Sequence, residues 1–115
     1  MSFSSDHTLT IIETMENYIS SVRPSPEIRS KLDLGYEILD QSVILFEIRP
    51  RWRNPDEIIH IPYAKASFVK SKNLWKVYWI RADRKWYPYD PKLTVKKLQD
   101  FLNLVDQDKY HAFKG

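Results

Sequence analysis

The sequence predicts a two-layer α+β domain, an antiparallel meander sheet of four to five strands with N-terminal helices and a C-terminal helix packed on one face. Three observations carry this. Apolar residues recur at spacings of three and four near both ends, over 8–22 and 95–106, as on one side of a helix. Between them the period falls to two, as on a strand with one covered face. The strand-like runs are parted by short polar turns, and consecutive hairpins make antiparallel neighbours. Helices at the two chain ends then cover one side of the sheet. The 115 residues are one domain's worth, and the expected unit is 1–115.

In the first helix, Leu9, Ile12, Met15, Ile19 and Val22 form the expected apolar stripe. Thr10 with Glu13 offers a capping box, and Ser5 is a rival cap. "RPSP" ends the helix, because proline lacks a donor and restricts the residue before it. Ser25 then caps, and Pro26 suits a first helical position, so "PEIRSKL" is expected as a short second helix. "LDLGYEIL" alternates, with Leu32, Leu34, Tyr36 and Ile38 on one side. Asp40 and Gln41 are expected to turn into "SVILFEI", apolar enough for a central strand. Pro50 stops that strand or marks an edge, and "RWRNPDE" is expected as a loop. "IIHIPYAKASFVK" predicts a long strand, bent or bulged at Pro62. "LWKVYWIRA" and "KWYPY" predict the last hairpin, around Asp83 and Arg84. Thr94 is expected to cap a final helix that buries Leu98, Phe101, Leu102 and Val105. Tyr110 and Phe113 suggest that the tail docks.

Composition removes several functional classes. The chain has no cysteine, hence no disulfide, thiolate metal site or cysteine nucleophile. Its two glycines, Gly35 and Gly115, cannot build a glycine-rich phosphate loop. His7, His60 and His111 lack metal-ligand spacing, so no metal or cofactor is expected. No apolar run has the length of a membrane span, and "MSFSSDHTLT" lacks the basic and apolar regions of a signal peptide. A cytoplasmic, non-membrane protein is the expectation. The net charge of +3 hides a strong asymmetry. Residues 1–47 carry three basic and eight acidic side chains, residues 48–97 thirteen and four, and residues 98–115 two and three. A basic middle between acidic flanks suits an anionic partner. An acidic helix neutralising a basic sheet within the fold would give the same pattern.

Two stretches carry the candidate site. "LWKVYWIRADRKWYPY", residues 74–89, holds three of the four tryptophans with Lys76, Arg81, Arg84 and Lys85. Alternation puts Trp75, Val77, Trp79 and Arg81 on one face and Leu74, Lys76, Tyr78 and Ile80 on the other. A tight turn would set Arg81 across from Trp86, guanidinium over indole. In "EIRPRWR", Arg49, Arg51 and Arg53 recur at every second position around Trp52, a pattern suited to phosphate. The expected function is therefore a non-enzymatic binding module for nucleic acid or another anionic macromolecule. Arg49, Arg51, Arg53, Arg81, Arg84 and Lys85 would meet phosphates, and Trp52 or Trp86 would stack. The alternative is a protein–protein or self-association module, such as a homodimer, with the aromatic sheet face as interface. A third reading centres on Glu47, an acid in an apolar strand. With Asp33 or Glu37 beside it, the set would be similar to the carboxylates of metal-dependent nucleases. Arg49, a poor proton acceptor, stands where those enzymes use lysine, and a Glu47–Arg49 ion pair is the plainer account. No catalytic residue is assigned.

"PEIRSKLDLGYEI", "QSVILFEIRPRW", "AKASFV" and "WKVYWIRADRKWYPY" together resemble a family of small bacterial proteins, domain of unknown function 3024, over roughly residues 24–113. The resemblance implies a free-standing bacterial cytoplasmic protein and transfers no catalytic residue. The element order is also broadly similar to that of a double-stranded RNA-binding domain. That fold reads duplexes through helices and a loop, whereas the basic residues here lie on strands and turns, so no residue carries over.

Overall fold

The computed structural model describes residues 3–113. It shows the predicted class: helix α1 (Ser5–Val22), strands β1 (Asp33–Leu39), β2 (Ser42–Arg51), β3 (Asn54–Val69), β4 (Leu74–Ile80), β5 (Trp86–Pro88) and β6 (Thr94–Val95), then helix α2 (Leu98–Gln107). All strand pairs are antiparallel, in the order β1-β2-β3-β4-β5, with the two-residue β6 also on β4. Both helices lie on one face. Val43, Leu45, Ala64, Ala66, Trp75 and Val77 meet Ile11, Met15, Phe101, Leu102 and Val105 in a single core. Ala64 and Ala66 on the middle strand leave room for the helices above them.

α1 is capped by Ser4, one residue before the rival Ser5, and the expected Thr10–Glu13 capping box lies inside the helix instead. Ser4 is extended and its hydroxyl accepts from the His7 amide at 3.2 Å, while the Thr10 hydroxyl donates to the Asp6 carbonyl. Its buried stripe is Ile11, Met15 and Tyr18; Leu9 and Ile12 of the expected stripe are exposed. Two overlapping stripes exist in "LTIIETMENYIS", and packing selected the one containing Tyr18. That ring lies in the core, and its hydroxyl reaches Asp106 on α2 at 2.7 Å.

The expected second helix does not form. Residues 25–32 make two successive turns, with the Ile28 amide on the Ser25 carbonyl and the Lys31 and Leu32 amides on that of Ile28. Seven residues are too few to hold a helix without packing, and the apolar Ile28 stays exposed. The expected loop at 51–57 is also corrected. β2 continues through Pro50, and only Trp52 and Arg53 separate it from β3. Past Ile48 on one side and Ala64 on the other, β2 and β3 have no further neighbours and form a two-stranded ribbon. The donor that Pro50 lacks costs little there. Register slips within this ribbon, where Pro50 faces Ile58 and Arg51 faces Asn54. The bulge expected at Pro62 is present: Leu45 faces Ala64 and Phe46 faces Pro62, leaving Tyr63 extra.

The β4–β5 loop is wider than expected. Ile80, not Arg81, faces Trp86, and residues 81–85 form the turn with Arg84 left-handed at φ 66°. Asp83 holds this turn by accepting from the Lys85 amide and the Tyr87 hydroxyl. Thr94 belongs to β6 rather than capping α2, because Val95 pairs with Trp75. α2 therefore starts at Leu98, and its buried face is the expected Leu98, Phe101, Leu102 and Val105. Of the tail, Phe113 docks on Tyr89 with ring centroids 4.8 Å apart, whereas Tyr110 is exposed. Residues 1, 2, 114 and 115 of the expected domain lie outside the described residues. No described helix is long and apolar enough to cross a membrane.

Candidate nucleic-acid interface

The sheet face away from the helices is covered by no element among the described residues, and register determines what stands on it. Ser42, Ser67, Lys76 and Thr94 form one row across β2, β3, β4 and β6. Ile44, Lys65, Tyr78 and Pro88 form the next, across β2 to β5. Phe46 with Pro62, and Ile48 with His60, continue it on β2 and β3, while Ile80 faces Trp86 on β4 and β5. Between the Ser42 and Ile48 rows no carboxylate points out from β2 to β5. β1 contributes Glu37, beside Ile44, and Asp33, which Arg23 holds at 2.6 and 2.8 Å.

Rings and cations are in contact on this face. The His60 imidazole lies parallel to Phe46, centroids 4.6 Å apart at 10°. The Lys65 ammonium lies 4.8 Å from the centre of Tyr78 and 5.1 Å from that of Trp86. Partial burial between these rings pushes the Lys65 amine below its ordinary value. Gly35 faces Phe46 on the edge strand, and a Cβ there would come within 2.9 Å of the phenyl ring.

The structure places the sequence-predicted residues in three groups. Trp52 and Arg53 form the tip of the β2–β3 ribbon. The indole is 86% exposed, and the Arg53 guanidinium lies 5.4 Å from its centre. Arg51 pairs with Glu57 at 3.1 Å. Arg49 folds onto Glu47 at 2.7 Å, on the helix side of the strand, with its Nε buried and without a hydrogen-bond partner among the described residues. The three arginines are thus not one open row, since carboxylates engage two of them. At the β4–β5 turn, Arg84 and Lys85 are exposed. Arg81 lies over Trp79 and Tyr87, at 5.4 and 4.9 Å, rather than over Trp86. The five-residue turn moved Arg81 out of register with Trp86, and Trp86 instead underlies Lys65 on the open face. The two tips point to the same end of the sheet, but β2 runs about five residues, roughly 17 Å, beyond the end of β4. They therefore do not meet.

Sequence reasoning missed Phe46, His60 and Lys65. His60 and Lys65 differ in parity, and an unbroken strand would put them on opposite faces. The extra residue Tyr63 brings them to the same one. Pro62 was the available signal for that bulge, but not for its parity consequence.

The Glu47 constellation does not assemble. Asp33 faces Ile48 and Glu37 faces Ile44, so both share the open-face parity of β2 while Glu47 takes the helix side. Asp33 is bound by Arg23 and Glu47 by Arg49. The described residues contain no group of three metal-ligating side chains.

Residues 4–115 match the family described as Domain of unknown function (DUF3024). The chain belongs to this family. No curated protein and no solved structure matches it.

Proposed function

We propose that this DUF3024 protein is a non-enzymatic binding module for nucleic acid, met on the open sheet face and at the basic tips beside it. The observation that carries this reading is the open face itself: rings from β2 to β5, the ammonium groups of Lys65 and Lys76, and no carboxylate among them. Phosphates would neutralise the lysines, and bases would cover the rings. Arg53, Arg84 and Lys85, which have no carboxylate partner among the described residues, extend the positive field to both tips. A face-to-face homodimer fits less well. It would bury both copies' lysines against a face whose one carboxylate without an ion-pair partner among the described residues is Glu37, and unpaired buried charge is costly. A cysteine-free composition suits action in a reducing cytoplasm.

Titration of labelled RNA and DNA oligonucleotides at several salt concentrations tests the reading. Micromolar or tighter binding is expected, falling steeply with salt, with a logarithmic slope of about −0.7 per phosphate contact on single strands. Lys76→Ala should shallow that slope by about one contact's worth. Trp52→Ala should leave stability within about 0.5 kcal/mol, because the indole touches little of the fold. Absence of binding at about 50 mM salt, where attraction is weakly screened, would end this reading.

A further inference from the structure

We infer that the open face takes single-stranded nucleic acid, with bases stacked on the Phe46–His60 pair and on Tyr78 and Trp86. Lys65 acts there as a displaceable clamp. The inference rests on the nucleic-acid reading above and specifies what that site takes.

The geometry points to splayed bases. Only an unstacked base can meet the face of an accessible ring. In a duplex each base is already covered above and below, and its outer surface is phosphate and sugar. Phe46 on β2 and Trp86 on β5 lie three strand spacings apart, about 14 Å. One base cannot span that distance, so the ligand would be a strand running across the sheet, with Lys65 and Tyr78 between its two ends. The parallel His60–Phe46 stack leaves the exposed imidazole as an outer platform. The Lys65 ammonium now occupies the ground over Tyr78 and Trp86 that a base would take. On arrival of a base, the flexible lysine stem can swing the ammonium to a neighbouring phosphate, exchanging a cation–π contact for an ion pair.

The face also favours this ligand on charge. Glu37, on the edge strand, is the one carboxylate on the face with no ion-pair partner among the described residues, so an acidic strand meets little repulsion. A basic or neutral partner would leave Lys65 and Lys76 uncompensated.

The test uses the full chain with four probes of equal length: a single strand, the same strand with abasic sites in place of bases, the duplex, and the duplex with a single-stranded overhang. The single strand and the overhang should bind more tightly than the blunt duplex and the abasic strand. His60→Ala and Tyr78→Leu should each weaken single-strand binding by about 5- to 150-fold, the loss of one stacked base. The same changes should leave abasic-strand binding unaltered. His60 is exposed, so its variant keeps the test independent of folding. Equal affinity for the single strand and the abasic strand would overturn stacking while leaving the phosphate-contact reading standing. Tighter binding of the blunt duplex would do the same. No binding of any probe at low salt would overturn both.

Discussion

Gly35 and Phe46 show how one residue shapes the open face. The phenyl ring occupies the space a Cβ at residue 35 would need, at 2.9 and 3.1 Å from two ring carbons. Gly35→Ala must therefore move Phe46 and loosen its stack with His60. We expect a loss of about 1 kcal/mol in urea unfolding, an overpacking cost, and weaker single-strand binding. Unchanged binding would show that the position of Phe46 does not matter. Asp33 is the second informative residue. The Arg23 guanidinium holds its carboxyl below the usual carboxylate range, against the opposing effect of burial. A depressed folded value means a contribution complete above about pH 4 and lost as pH falls through that lower value. Asp33→Asn should therefore cost stability at about pH 6 and less at a pH below that lowered value, where the wild-type carboxyl is neutral as well. Urea midpoints that differ by the same amount at both pH values would contradict this.

At the scale of elements, the turn at residues 81–85 combines strain with charge. Arg84 adopts the left-handed conformation, which costs a non-glycine residue roughly 1 kcal/mol. Arg84→Gly relieves that cost, offset in part by glycine's greater freedom when unfolded. Its unfolding midpoint should hold or rise while nucleic-acid affinity falls, so the two readouts separate the turn's geometry from its charge. A lower midpoint would mean that the arginine side chain supports the fold. How legible these elements were depended on whether local pattern and packing agreed. α2 carried one unambiguous stripe, and its buried face is Leu98, Phe101, Leu102 and Val105 as predicted. α1 carried two overlapping stripes, so its existence was legible but its orientation was not. "PEIRSKL" had start signals but only Ile28 and Leu32 as an apolar pair, and with Ile28 exposed nothing packs it into a helix. The wide β4–β5 turn depends on Asp83 capping its own loop, a side-chain contact that alternation does not encode.

For the whole molecule, the charge asymmetry of the sequence becomes a spatial one. The acidic segment, residues 1–47, supplies α1, the edge strand β1 and the start of β2, while the basic segment, residues 48–97, supplies the end of β2, the rest of the sheet and both tips. The sequence alone indicated that rings and cations share the sheet. It did not show that two of the three arginines in "EIRPRWR" are engaged by carboxylates, or that Lys65 joins the rings. Both depend on register, which a bulge and a wide turn each altered. Backbone amide chemical-shift mapping during addition of a single-stranded oligonucleotide tests the central claim most directly. Shifts should concentrate on the open-face residues Phe46, His60, Lys65, Tyr78 and Trp86, with weaker ones at the two tips, while the amides of α1 and α2 stay in place. Shifts centred on the helices, or none on the open face, would contradict it.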